Sequence, residues 1–150
     1  MILDTSALVA ILRAEPEATA CAEAIELAGV RRLSAASYVE LGAVIDRAHD
    51  AIASRRVDEL LTTADIHIEA VTEEHARIAR DAFRDFGKGS GHPARLNFGD
   101  CFSYALAKTT GEPLLFKGKD FWRTDIASVL PDDQPREPDG DDDLLTADGG

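Results

Sequence analysis

The chain has 150 residues, of which 45% are apolar and 29% charged, and its formal net charge is −12. That length suits one compact domain with a single core, and the composition is globular rather than disordered, fibrous or membrane-embedded. No run approaches the roughly 18 consecutive apolar residues of a membrane span, and an acid at position 4 with no basic lead argues against a secretory signal.

Ile2-Leu3 reads as a short buried strand, and Ala7 to Leu12 continues with helical spacing. Glu15-Pro16-Glu17 predicts the start of a helix running to about Leu27, because proline suits a first helical turn, and Gly29 stops it. Arg32 to Ala35 predicts a second strand, leading through Ser37-Tyr38-Val39-Glu40 into a helix that reaches about Ala53. Arg55 to Ala64 predicts a further short helix, and Ile66 to Val71 alternates with period two, as a half-buried strand does. Thr72 can cap a helix over Glu73 to Phe86, after which Gly87 to Pro93 forms a glycine-rich loop. The next helix runs from Gly99 to about Thr110 and ends at Gly111; Pro113 to Phe116 and Ile126 to Leu130 are the last two strands. Strands separated by helices predict an α/β fold with a parallel sheet and right-handed crossovers. The domain is expected to occupy residues 1 to 131.

The charge is unevenly distributed. Residues 132 to 150 hold eight acids and one base, a balance of −7, in a Pro-, Gly- and Asp-rich stretch expected to be a disordered tail. The rest of the chain carries only −5. Residues 84 to 123 are locally +3, with seven bases against four acids, two of which are candidate metal ligands. A basic rim around an acidic site suits a polyanionic substrate held by its phosphates. Cys21 and Cys101 lie far apart without a further Cys or His at metal spacing. They read as buried free thiols of a protein in a reducing cytoplasm.

Three acids stand at comparable places. Asp4 follows the first strand directly, Glu40 lies in the first turn of the helix after the second, and Asp100 opens the helix leading to the fourth. Ligands of open parallel sheets bind outside the carboxyl ends of the strands. Carboxylates gathered there raise one another's pKa unless a cation lies between them. Each acid also has a plainer reading: Asp4 as a helix cap, Ser37-x-x-Glu40 as a capping box, and Asn97-x-x-Asp100 as a similar arrangement. Asp120 is a fourth candidate, although a turn-forming Asp after glycine explains it equally well, and Asp125 is a weaker one.

Asp4-Thr5-Ser6-Ala7-Leu8, Ser37 to Glu40, Asn97-Phe98-Gly99-Asp100 and Leu114 to Phe121 together resemble the four signature regions of PIN-domain ribonucleases, specifically VapC-type toxins. The resemblance spans about residues 1 to 130, in the right order. It implies a three-layer α/β/α fold with a five-stranded parallel sheet, an endoribonuclease activity dependent on Mg²⁺ or Mn²⁺, and inhibition by a cognate VapB-type antitoxin. By position, Asp4 and Asp100 match the strongest metal ligands, Glu40 the third acid and Asp120 the more variable fourth. Where members often carry another Asp or Asn, this chain reads Lys117-Gly118, which weakens the case for a second metal.

In that chemistry a cation held by Asp4 and Asp100 would polarise a phosphoryl oxygen and acidify water, with Glu40 orienting that water or binding the metal through it. Thr5, Ser6 and Ser37 are candidates for holding a phosphate or fixing a carboxylate, against the plainer role of helix caps. Arg95, Lys117 and Lys119 are candidates for contact with the RNA backbone. The loop at 87 to 91 would either close over RNA or merely connect elements.

His49, His67, His75 and His92 share no ligand spacing. Phe121 and Trp122 would cover the core or stack on a base, while Tyr38, Phe98, Phe102 and Tyr104 read first as core or dimer surface. The helices before Gly29 and after Ser37 would supply a homodimer face and an antitoxin groove, as the resemblance implies. A haloacid-dehalogenase-like phosphatase would need a second Asp where Ser6 stands. The remaining alternative is a catalytically silent PIN-like module that binds protein.

Overall fold

A computed structural model describes residues 1–131; the expectation of a disordered tail over 132 to 150 lies outside the described residues. Four parallel strands form one sheet: β1 (Ile2–Leu3), β2 (Arg31–Ser34), β3 (Ile66–Glu69) and β4 (Leu114–Leu115), in the order β3-β2-β1-β4. Between them run α1 (Thr5–Leu12), α2 (Ala18–Leu27), α3 (Ala35–Asp46), α4 (Ala51–Thr63), α5 (Glu73–Phe86) and α6 (Asp100–Thr110).

The register explains the layering. Ile2 pairs with Leu114, and Leu3 with both Leu33 and Leu115. Successive strand residues point to opposite faces. Ile2 and Leu114 therefore join the core formed with α5 and α6, whereas Leu3, Leu33 and Leu115 join the core formed with α1 to α4. β1 and β4, each of which sends one residue into either core, are wholly apolar, as strands covered by helices on both faces require.

The expected fifth strand is the principal correction. Ile126 to Leu130 does not form a strand; it touches the sheet through one bridge, Leu114 to Ser128, with Leu114 N donating to Ala127 O at 2.8 Å and Val129 N to Leu114 O at 3.0 Å. Its partner β4 is only two residues long, and Ser128 Oγ donates to Leu130 O at 2.7 Å. The ladder thus has little edge to extend along.

Boundaries shift for local reasons. The second helix starts at Ala18 because Glu15 to Glu17 form a turn before it. The helix expected to reach Ala53 stops at Asp46: His49 takes the left-handed conformation (φ 51°), and the Asp50 carboxylate accepts from Ile52 N at 2.8 Å to start α4. The elements with strong caps match their expected ends. Thr72 and His75 cap the start of α5 reciprocally, with Glu73 and Glu74 in its first turn and Arg84 in its last. Gly111, left-handed at φ 68°, ends α6. Among the described residues no helix is long and apolar enough to cross a membrane.

Candidate active site

Asp4 leaves β1 where its backbone N donates to Leu115 O at 2.9 Å, so the end of β4 fixes its position. It also caps α1. Its Oδ2 accepts from Ser6 N at 3.0 Å and Ser6 Oγ at 2.6 Å, and its Oδ1 accepts from Ser103 Oγ at 2.7 Å. Asp4 is 3% exposed and Ser103 fully buried. Ser103 lies one turn beyond Asp100 on α6 and meets Ser37 Oγ at 3.2 Å, which joins α6 to α3 behind the acids.

Asp100 and Asn97 cap each other: Asp100 N donates to Asn97 Oδ1 at 2.9 Å, and Asn97 N to Asp100 Oδ2 at 2.8 Å. The plainer capping reading therefore holds for both Asp4 and Asp100, yet each cap is buried and engages only part of its carboxylate. Burial, and next the charge of Asp4, push the Asp100 carboxyl up to about 7, with Asp120 and Glu40 adding to the effect. The Asn97 hydrogen bond opposes them.

Glu40 is not the capping-box partner of Ser37. Ser34 caps α3 instead, accepting from Ala36 N. Glu40 Oε2 accepts from Thr5 Oγ1 at 3.1 Å, and burial followed by the Asp4 charge raises its carboxyl, against the Thr5 bond. A Cβ at position 99 would overlap the Glu40 carboxylate, so Gly99 lets that side chain lie against the backbone entering α6. Asp120 is exposed at the start of a 3₁₀ turn, Asp120–Arg123, and its charge reaches Asp100. Asp125 is apart from this group, bound by Tyr104 Oη and Lys108 Nζ.

The hydroxyls act as supports. Ser6 and Ser103 fix Asp4; Ser37 is 1% exposed; and the single Thr5 hydroxyl proton lies within reach of both Glu40 Oε2 and Ser37 O, each at 3.1 Å. Ser37 is thus out of reach of a phosphate. Lys117 differs from its expected role as well, because its ammonium binds Glu15 at 2.6 Å and Glu17 at 3.3 Å. Its backbone N donates to Ser6 Oγ at 2.9 Å, so Lys117 adds support on the Asp4 side. Arg95 and Lys119 are exposed. Ser103 and Gly99 are the positions in contact with the site acids that motif reading did not assign.

Among the described residues no three His, Cys, Asp or Glu side chains already stand together as a cage for a metal ion. The donor chemistry nonetheless fits a hard divalent cation. It offers carboxylate oxygens only, Asp100 Oδ1 and Glu40 Oε1 accept no hydrogen bond among the described residues, and the crowding of like charge at Asp100 is what a cation relieves. The four histidines take other roles, such as His75 in the α5 cap. Phe121 belongs to the core with Trp122 packed beside it. Both cysteines are free and buried.

The PIN domain model matches residues 1–127. Ribonuclease VapC28 of Mycobacterium tuberculosis is 58% identical over 130 residues, covering 87% of this chain and 98% of that relative. The chain belongs to the VapC ribonucleases of the PIN-domain family. Two solved structures share this PIN fold: M. tuberculosis VapC20, a sarcin-ricin loop cleaving toxin (TM-score 0.69, 19% identity, 87% of this chain and 98% of that one), and a toxin-antitoxin complex from Klebsiella pneumoniae (TM-score 0.60, 17% identity, 80% and 88%). The four candidate acids lie at the end of β1, within α3, at the start of α6 and in the 3₁₀ turn after β4.

Proposed function

We propose that this VapC-family chain is a divalent-metal-dependent endoribonuclease, the toxin of a toxin–antitoxin pair. The observation that carries the reading is the pair of buried carboxylates, Asp4 and Asp100, on separate elements at the carboxyl edge of a PIN-fold sheet, with Asp100 raised by burial and then by the charge of Asp4. Asp4 and Asp100 would hold Mg²⁺, with Mn²⁺ as a substitute, and a cation bound there supplies Lewis-acid polarisation of the scissile phosphate and acidifies water. Glu40, half-buried and held by Thr5, orients the attacking water and accepts its proton. Asp120 contributes charge from the outer side. Ser103 and Ser6 keep both oxygens of Asp4 in place, while exposed Arg95 and Lys119 supply contacts to the RNA backbone.

The partners follow the same reading. A surface cavity of about 360 Å³ between α1, α2 and α4, lined by Ile11, Ile25 and Leu60, offers an apolar segment of a VapB-type antitoxin a seat. Exposed Val39 on α3 and Leu27 on α2 favour a homodimer. The cytoplasm, where RNA and free thiols coexist, is the proposed compartment.

The test is brief expression of wild type and Asp100→Asn in a bacterial host with transcript-wide mapping of new RNA ends. New discrete ends with wild type alone, together with growth arrest, are expected. Matching end maps from two soluble, folded proteins would instead favour the silent binding module.

A further inference from the structure

Phe98 is the most exposed aromatic residue of the described chain, at 73%, although motif reading placed it in a core or dimer surface. Its ring is nevertheless supported. It meets the Phe102 ring edge-to-face, with centroids 5.1 Å apart and planes at 79°, and Phe102 packs against the core. The backbone on either side is pinned. Leu96, fully buried, donates through its N to Phe86 O and accepts from Lys88 N, both at 2.9 Å, while Asn97 is locked to Asp100 by their mutual hydrogen bonds. The next residue, Gly99, lies against the Glu40 carboxylate. A rigidly mounted, solvent-facing ring therefore sits one residue from the seat of one site acid and two residues from another. Arg95, exposed and held left-handed at φ 54°, precedes it on the same segment.

A ring that is mostly exposed contributes little to the core. Beside carboxylates, which repel a bare phosphate chain, it offers attraction that does not depend on charge. Single-stranded RNA provides the matching chemistry, because every base has a π-face that stacks on an aromatic ring while a neighbouring arginine meets the backbone. Resting on the ribonuclease reading above, we propose that Phe98 is a stacking platform for an unpaired nucleobase flanking the scissile phosphate.

The test uses full-length protein and two fluorescent twelve-nucleotide probes, a randomised single-stranded RNA and a ribose-phosphate oligomer lacking bases. Binding is measured in an Asp100→Asn background, with and without Phe98→Ala or Phe98→Trp, and thermal midpoints confirm folding. Phe98→Ala should weaken binding of the base-bearing RNA about tenfold, within the range for loss of one aromatic stacking partner. It should leave the base-free oligomer unchanged, and Phe98→Trp should restore RNA binding. Equal affinity for the base-bearing RNA with and without Phe98 overturns the proposal, as does absence of binding to it. A change in oligomeric mass with RNA affinity intact also overturns it, assigning the ring to a second copy of the chain. Cleavage of an RNA pool by protein with Asp100 intact is scored separately. Failure there rejects the ribonuclease reading, whereas cleavage without any Phe98 effect on binding rejects only the platform.

Discussion

Asp100 carries a cost that the folded protein tolerates. Its carboxyl rises from 3.8 to about 7 on folding, chiefly through burial and then through Asp4. A raised carboxyl stabilises the fold fully below the unfolded pKa and loses that contribution as pH climbs through the folded one. The metal-free protein should therefore weaken, relative to Asp100→Asn, between about pH 4 and pH 7, by an amount of the order of a few kcal/mol. Urea midpoints of both proteins at pH 5 and pH 8 check this, and added Mg²⁺ should narrow the gap at pH 8 by favouring the ionised wild type. Gly99 gives a complementary case. Its backbone (φ −66°, ψ −41°) accepts alanine without strain, and the obstacle is the mobile end of Glu40. Gly99→Ala should change stability by less than about 1 kcal/mol, yet displace Glu40 and lower RNA cleavage at least about tenfold, as loss of a positioned acid–base group does. Asp4 and Asp100 were readable because they stand at a strand end and a helix start, whereas Glu40, expected in a first turn, lies in the second turn of α3 because that helix is capped at Ser34 and begins at Ala35. Ser103 was not, since its bond to Asp4 spans 99 residues and no local pattern records such a contact.

Helices α5 and α6 were legible because capping residues and a left-handed glycine mark their ends. The break between α3 and α4 was hidden for the opposite reason. No Gly or Pro interrupts Asp46 to Asp50, and the left-handed residue there is His49, which carries no such signal. Asp50 then starts α4 with a side-chain cap. Asp50→Ala should lower stability by about 1 kcal/mol, with RNA cleavage unchanged because the break lies away from the acids; paired urea and cleavage assays check both halves. The missing fifth strand has another origin. Apolar content made Ile126 to Leu130 look like a strand, but strand formation also needs a partner edge, and β4 offers only two residues. That shortness is a tertiary fact, fixed by how the chain leaves α6 and reaches the 3₁₀ turn.

Across the molecule, charge separates what stabilises the fold from what faces a substrate. Lys117, Lys108, Arg32 and Arg84 are all paired with acids, and such exposed pairs add little to stability. Three of the seven bases over 84 to 123 are consequently less available to RNA than their count suggests, leaving exposed Lys88, Arg95, Lys119 and Arg123 outside the ion pairs of the described residues. Eight acids after Pro131 would compete for those cations. A chain ending at Pro131 should bind RNA more tightly at low salt, with the difference fading as salt screens both interactions; filter binding across a salt series measures it, and equal affinities would remove the competition.

The two-residue central strand also has a temporal meaning. β1 comes first in the sequence, yet one of its sides stays open until Leu114 and Leu115 arrive, more than a hundred residues later, and the Asp4 backbone is itself tied to Leu115. Contacts so distant in sequence are among the last that a chain can make. A polypeptide not yet extended to Leu115 therefore holds Asp4 in an unfinished sheet, so the site acids can meet only after that stretch has been made.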